Sequence, residues 1–210
     1  LEREVAVKVL RPHIGVRVAQ DSAALAQAAQ LAARYVPAAR RLEPEAFART
    51  VREAFPAART GEIELSIAQF AIDGLRSMLE THGQMAQDEV ILGTTVMLLR
   101  CFEPMGGIVA RVTETDFAVI LPRTSRRTAS DAAQEICDSF PVSVRGWLPG
   151  FTDADAIVRI NAGVATVDPQ TRTVFVSPEL LVEATSRAVQ AARGAGGGCV
   201  RVFVPRGKAA

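Results

Sequence analysis

The sequence has little lysine, few aromatic residues and almost no histidine. Only two of its 24 basic residues are lysines, Lys8 and Lys208, and aromatic residues make up 5% of the 210 positions. The formal net charge is +1, so charge gives no indication of nucleic-acid binding. With two histidines and three widely separated cysteines, Cys101, Cys137 and Cys199, a structural zinc site is not expected. Reduced thiols in a cytoplasmic protein are the simplest interpretation.

Long apolar runs are also missing. No stretch reaches about 18 consecutive apolar residues, so no segment is expected to span a membrane, and no signal peptide is visible. The chain begins with Leu1 instead of methionine, which leaves open that it is a piece of a longer protein. Hydrophobic residues make up 49% of the sequence, enough for the buried core of one domain.

The pattern of apolar residues predicts alternating helices and strands. The expected elements are a strand at 4–10, helices at 16–35 and 44–58, a strand at 62–72, helices at 73–80 and 88–102, a hairpin at 108–112 and 117–121, a helix at 128–140, a loop or edge segment at 142–155, a strand at 156–167, a helix at 178–193 and a strand at 199–204. We therefore expect an α/β (α+β) fold, in which helices flank a central mixed, mainly antiparallel sheet. An N-terminal strand and helix (1–41) precede the domain (42–204), and a short tail (205–210) follows.

In two of these segments, the spacing of apolar residues assigns side chains to particular faces. In the helix at 44–58, apolar residues recur every four positions and predict the buried residues Phe47, Val51 and Phe55. In the strand at 62–72, alternation places on one face Ile63, Leu65, Ile67 and Gln69, and on the other Phe70 and Ile72.

Five short segments resemble the motifs of one known family, in order and at matching spacing. They are AIDGLR (71–76), LETHGQ (79–84) followed by Asp88, ARVTETDFAVILP (110–122), NAGVA (161–165) and the helix at 179–193 that ends near Arg193. They resemble the GGDEF, or diguanylate-cyclase, motifs D-x-D-x-F-K, N-D-x-x-G-H-x-x-G-D, A-R-x-GGDEF-A-V-x-L-P, S-x-G-x-A and A-K-x-x-G. The resemblance runs from about Leu42 to Val204 and implies the GGDEF fold.

The resemblance also shows which catalytic groups are missing. The family joins two GTP molecules into cyclic di-GMP across a symmetric dimer, and this phosphoryl transfer needs divalent metal ions held by carboxylates. The two metal-carboxylate positions are Ala71 and Thr115 here, whereas the fourth letter of the signature keeps an acid, Asp116. The two glycines that admit the nucleotide are replaced by Thr113 and Glu114. No catalytic or metal-binding residue is therefore expected.

The nucleotide-binding positions are only partly kept. Leu79 stands where the family has a guanine-binding asparagine, and Asp88 is retained, either for guanine or as an acid at a helix N-terminus. Arg76 and Arg193 stand where lysines contact phosphates, although both could be solvated surface arginines. The family's inhibitory R-x-x-D site would fall at 104–107, which has neither residue, so tight cyclic di-GMP binding there is not expected.

These substitutions predict a non-catalytic signalling or interaction domain in cyclic di-GMP signalling. A protein partner or a second copy is the expected binding partner, and a guanine nucleotide is a further, weak ligand. No cofactor is expected, and Mg²⁺ with GTP would bind only if residual binding persists. The alternative is a residual diguanylate cyclase with a displaced metal site made of Asp73, Asp116 and Glu114.

The amino-terminal stretch at 3–14 (REVAVKVLRPHI) resembles a second family, the UbiB-type atypical kinases. In those proteins the V-A-V-K strand carries an ATP-contacting lysine, which would be Lys8 here. No catalytic-loop motif follows and no glycine-rich loop precedes it. A kinase fragment that prefers ATP is therefore a third interpretation, beside a chance strand followed by a linker helix.

Overall fold

A computed structural model describes residues 44–148 and 158–205. Their helices are α1 (Pro44–Thr60), α2 (Leu75–His82), α3 (Gln84–Phe102), α4 (Arg126–Trp147) and α5 (Pro178–Gly194), with a short 3₁₀ turn at Glu103–Met105. Their strands are β1 (Leu65–Asp73), β2 (Ile108–Arg111), β3 (Asp116–Pro122), β4 (Arg159–Val167) and β5 (Val200–Val202). None of the described helices is long and apolar enough to cross a membrane.

The five strands form one sheet in the order β2-β3-β1-β4-β5. All neighbours are antiparallel except β4 and β5, which are parallel and are joined through α5. The predicted fold class is therefore confirmed, as is the order of its elements from α1 onward. The predicted strand at 4–10 and helix at 16–35, and residues 149–157 and 206–210, lie outside the described residues.

The two faces of β1 pack against different helices, as its alternating sequence predicts. Phe70 and Ile72 lie in a core shared with α2, α3 and α4, and the ring of Phe70 lies 5.7 Å from that of Phe102. On the opposite face, the amide oxygen of Gln69 accepts a hydrogen bond of 2.8 Å from Ser186 of α5. The odd-numbered residues of β1 therefore face α5. The predicted buried face of α1 is also confirmed, because Phe47, Val51 and Phe55 are at most 6% exposed.

Helix α4 extends beyond its predicted end. We expected it to stop at Phe140, with loop or edge structure at 142–155, yet it continues through Pro141 to Trp147. A proline removes only one backbone donor from the helix, and the apolar spacing continues past it. Phe140 and Val144 are both buried, and the Trp147 ring packs edge-on against Phe140 at 6.0 Å. This packing keeps the chain helical despite the proline.

A close approach between β4 and α5 fixes the position of that helix. Gly163, in the middle of β4, lies directly under the backbone of α5. A Cβ atom at this position would lie 2.5 Å from the backbone nitrogen of Val189 and still nearer to the carbonyl oxygen of Thr185. Because neither backbone atom can move without shifting the helix, only glycine allows this packing.

Replacing Gly163 with alanine should therefore destabilise the domain. We expect Gly163→Ala to lower the free energy of unfolding by about 2–3 kcal/mol, since α5 must be displaced from the sheet. Urea denaturation measures the change. Gly146→Ala is the matched control: a Cβ atom there meets nothing within 4 Å, and the added helix propensity should leave stability equal or slightly higher. Equal stability of the two variants would contradict this packing.

The three cysteines are free thiols in different environments. Cys137, on α4, is buried in the core, whereas Cys101 and Cys199 are half-buried. Burial raises the pKa of the Cys137 thiol to about 12, with smaller contributions from Cys199 and the negative charge of Asp138. Burial, and then the nearby charge of Glu135, also raises the pKa of Cys101.

This difference predicts the order of alkylation, because the thiolate is the reactive species. In the folded protein at mildly alkaline pH, iodoacetamide should modify Cys199 first and Cys137 last. Peptide mass spectrometry over time measures the rates, and urea-unfolded protein, in which the three rates should converge, is the control. Modification of Cys137 as fast as Cys199 in the folded protein would be inconsistent with its burial.

Candidate functional site

The hairpin turn between β2 and β3 lies beside the end of β1. Ala71 pairs with Asp116 in the sheet, and the backbone N–H of Ile72 donates a hydrogen bond of 3.1 Å to the carbonyl of Thr115. The segments at 71–76 and 113–117 are therefore brought together, as the resemblance implies. This is where the catalytic groups of a cyclase would be expected.

The turn itself is closed by its own side chains. The hydroxyl of Thr113 accepts hydrogen bonds from the backbone N–H groups of Thr115, at 3.2 Å, and Asp116, at 3.0 Å. The guanidinium of Arg111 donates to the carbonyls of Thr113, at 3.1 Å, and Glu114, at 2.6 Å. The backbone N–H groups of Thr115 and Asp116 are thus used inside the turn. The exposed Glu114 side chain adds negative charge at the same place.

A guanidinium lies where the remaining carboxylates meet. Arg193, near the end of α5, donates from Nε (2.9 Å) and from Nη2 (2.8 Å) to Oδ1 of Asp73. The same Nη2 atom is 3.9 Å from Oδ1 of Asp116. The Arg193 side chain is 31% exposed, so the guanidinium is paired with acids and is not fully solvated. Its charge is already shared between two acids from two strands.

Asn161 completes this cluster from the next strand. Its amide nitrogen donates to Oδ2 of Asp73 at 2.7 Å and to the carbonyl of Ala71 at 3.4 Å. Its amide oxygen accepts from the backbone N–H of Gly198 at 2.9 Å, in the glycine-rich turn after α5. Asn161 is fully buried. Asn161 therefore links the Asp73 side chain by hydrogen bonds to the glycine-rich turn that follows Arg193.

This arrangement does not fit a divalent metal ion. Of the three acids in the displaced-site hypothesis, Asp73 and Asp116 contact Arg193, and Glu114 projects from the exposed turn. Within the described ranges, no group of three or more His, Cys, Asp or Glu side chains converges as metal ligands do. At the two family positions, Ala71 offers no ligand, and the Thr115 hydroxyl is 3.3 Å from Asp116.

The other nucleotide-binding positions that the resemblance implies lie on α2 and α3. Leu79 is 37% exposed, and Arg76 is exposed on the same helix. Asp88 is exposed and accepts a hydrogen bond of 2.9 Å from the side chain of Gln84. Helix α3 begins at Gln84, four residues earlier than predicted, because Gly83 alone, with φ of +83°, separates it from α2. Asp88 is therefore in the second turn, and its expected place at the helix N-terminus is wrong.

The surface beside the inhibitory-site position carries both acidic and basic side chains. Residues 104–107 follow the end of α3, where Sγ of Cys101 lies 3.9 Å from the carbonyl of Ala132 on α4. This part of α4 exposes three acids, Asp131, Glu135 and Asp138, and the last turn of α3 exposes Arg100, which lines the same groove as Glu135.

Sequence reasoning missed Asn161, Thr113 and Arg111 as parts of the site. Asn161 had a signal, because it is a polar residue in the middle of the apolar strand RINAGVATV. Thr113 was interpreted only as a lost glycine, although threonine side chains readily close turns. The partner of Arg193 had no signal, since Asp73 precedes it by 120 residues.

Removing the Asn161 amide should destabilise the site strongly. Asn161→Ala leaves the Gly198 N–H without its acceptor and takes a donor from Asp73, so we expect a loss of about 2 kcal/mol in unfolding free energy. Thermal and urea denaturation measure this, with the exposed α5 residue Gln190 as control: Gln190→Ala should change stability by less than about 0.5 kcal/mol. If both variants unfold alike, Asn161 does not organise the site.

The segment resembling UbiB-type kinases stays an untested prediction. Residues 3–14, including Lys8, lie outside the described residues. The similarities found with known proteins give that resemblance no support. A search of curated proteins found no match.

Solved structures with this fold include both enzymes and domains bound to cyclic di-GMP. The chain is similar to the GGDEF domain of DgcB from Caulobacter crescentus in complex with c-di-GMP, with a TM-score of 0.63 and 21% identity over 76% of this chain and 87% of that one. It is similar to the active GGEEF domain of a diguanylate cyclase from Vibrio cholerae, with a TM-score of 0.63 and 18% identity over 75% and 94%. A third is the FimX GGDEF domain from Pseudomonas aeruginosa, with a TM-score of 0.60 and 18% identity over 76% and 92%.

A family profile gives the assignment. The profile described as "Diguanylate cyclase, GGDEF domain" matches residues 44–198, well over half of the chain. The matched range includes the hairpin turn, Asp73, Asn161 and Arg193. The chain therefore belongs to the GGDEF domain family.

Proposed function

We propose that this GGDEF domain is a non-catalytic signalling module that works through contacts with a protein partner or a second copy in cyclic di-GMP signalling. The observation that carries the proposal is the position of Arg193. Its guanidinium contacts Asp73 and Asp116, two of the three acids in the segments at 71–76 and 113–117. A cation fixed by the fold leaves these acids poorly suited to bind a second cation.

Catalysis would require charge that this site does not supply. Phosphoryl transfer depends on positioning and on electrostatic stabilisation of the phosphates, and metal ions provide most of both in this family. Ala71 and Thr115 cannot replace two carboxylate ligands. The hairpin turn further disfavours a triphosphate, because Thr113 accepts two of its backbone donors and Glu114 brings a negative charge.

The exposed side chains at the other nucleotide-binding positions favour binding of a nucleotide over its chemical conversion. Arg76 and Asp88 are exposed on neighbouring helices, and they could contact a phosphate and a base edge without any metal ion. We therefore expect at most weak, metal-independent GTP binding. The cytoplasm remains the expected location.

We expect no diguanylate cyclase activity. Purified protein incubated with GTP and Mg²⁺ or Mn²⁺ should form cyclic di-GMP at a rate at least about 10³-fold below that of an active domain, because the metal carboxylates are absent. Liquid chromatography with mass spectrometry detects the product. The active GGEEF domain from Vibrio cholerae is the positive control. Metal-dependent product formation by this chain would refute the proposal.

Calorimetry with GTP then separates a pure interaction module from an allosteric nucleotide-binding domain. We expect Mg²⁺ to leave any GTP affinity unchanged, since no metal ligand is predicted to link the ion to the nucleotide. Arg76→Ala should weaken whatever binding exists, whereas Arg187→Ala, which changes an exposed arginine of α5, should not. Binding that tightens more than about tenfold with Mg²⁺ would show that the site does hold a metal ion.

A further inference from the structure

A groove runs between α3 and α4, on the face of the sheet opposite to α5. We propose that this α3–α4 groove binds an amphipathic helix of a protein partner, one that carries basic residues along one flank of its apolar stripe. The inference rests on the proposed function, because an interaction module needs a surface for its partner. It goes further by naming that surface and the chemistry of the segment that fits it.

The α3–α4 groove has an apolar floor and the length of a short helix. Its volume is about 480 Å³, and its large apolar side chains come from both helices: Val96, Met97, Ile136 and Trp147. On α4 the lining residues extend from Glu135 to Trp147, which corresponds to about 18 Å of helix. A partner helix of about three turns has this length, and such helices bind by laying an apolar stripe into a groove.

The outward side of α3 has the composition of a covered surface. From Val90 to Phe102 this helix contains one charged residue, Arg100. Its fully buried residues lie on one side, whereas Leu92 and Val96 lie on the other side and are only half-buried. A helix that is apolar all round is normally covered by protein on every side. We therefore expect protein, instead of water, to cover the outward side of α3.

A glycine of α3 shapes one end of the groove. A Cβ atom on Gly93 would lie 2.5 Å from Cε2 of the Trp147 ring and nearer still to Cδ2, so the ring packs directly against the backbone of α3. Trp147 stays half-buried in this position. Aromatic residues fixed in a groove are those on which the binding energy of an interface concentrates.

The charges on the two sides of the groove indicate what the partner carries. Asp131, Glu135 and Asp138 are exposed along α4, and Glu135 lines the groove itself. Asp131 lies 3.7 Å from Arg127, whereas the part of the chain that the structure describes gives Glu135 and Asp138 no ion pair. On the α3 side, the exposed Arg100 lines the same groove. A helix with basic residues toward α4 and neutral residues toward α3 complements both sides.

The test uses three synthetic helical peptides of about 18 residues that contain no tryptophan. The lysine peptide has a leucine stripe with lysines along one flank and glutamines along the other, and the glutamate peptide has glutamates in place of the lysines. The third peptide has the composition of the lysine peptide in an order without a stripe. Because Trp147 is the only tryptophan of the sequence, its fluorescence reports on the groove.

We expect the lysine peptide to move the Trp147 emission to shorter wavelength, because the bound helix excludes water from the ring. It should bind at least about tenfold more tightly than the glutamate peptide, since the acids of α4 attract one flank and repel the other. The peptide without a stripe should leave the emission unchanged, because charge alone does not fill an apolar groove.

Charge reversal on α4 shows whether these acids select the partner. Glu135→Lys combined with Asp138→Lys should exchange the order of affinity, so that the glutamate peptide binds more tightly than the lysine peptide. Glu183→Lys reverses an exposed charge on α5 and is the matched control, which should leave the order unchanged. All three substituted side chains are exposed, and circular dichroism verifies that the variants fold.

The proposal is overturned if the lysine peptide does not bind, if it binds without changing the Trp147 emission, or if charge reversal leaves the order of affinity unchanged. It is also overturned if sedimentation velocity shows a dimer of the unmodified protein that the double charge reversal dissociates, because a second copy would then occupy the groove. None of these measurements uses GTP or detects cyclic di-GMP. The failure of this inference is therefore distinct from the failure of the proposed function.

Discussion

The guanidinium of Arg193 connects the end of helix α5 to the ends of two neighbouring strands. It contacts Asp73 and Asp116, which the sheet brings together whether or not a cation is present. Removing Arg193 would leave these carboxylates, whose side chains are 41% and 23% exposed, without their shared cation. The guanidinium therefore ties the end of α5 to the hairpin and to the end of β1.

The rest of the fold prepares that contact. Gly163 allows α5 to lie against β4, and Asn161 joins Asp73 to the glycine-rich turn. At the other end of β4, a second ion pair, 2.5 Å between Arg126 and Asp168, joins the start of α4 to the strand end. The GGDEF scaffold thus persists with internal charge pairs at both ends of its central strands. At the hairpin end, the pair is that of Arg193 with Asp73 and Asp116.

Much of the fold could be predicted from local pattern, and less of the site. Alternation in β1 and the four-residue spacing in α1 predicted their buried faces, and the order of motifs predicted that the hairpin lies beside β1. Helix α4 continues beyond its predicted end because the packing of Val144 in the core outweighs the loss of one backbone hydrogen-bond donor at Pro141. The sequence shows that Ala71 and Thr115 stand at the carboxylate positions of the motifs, but it could not show that Arg193 binds Asp73. That contact depends on how α5 sits on the sheet, which no local pattern encodes.

A crystal structure of the domain, grown with MnCl₂ and measured at the manganese absorption edge, would test this arrangement most directly. We expect the Arg193 side chain to contact Asp73 and Asp116, and we expect no anomalous peak between these carboxylates. An anomalous peak bound by both acids, with the guanidinium turned away into solvent, would contradict it. In that case the site would hold a metal ion after all, and the domain would have to be considered as an enzyme.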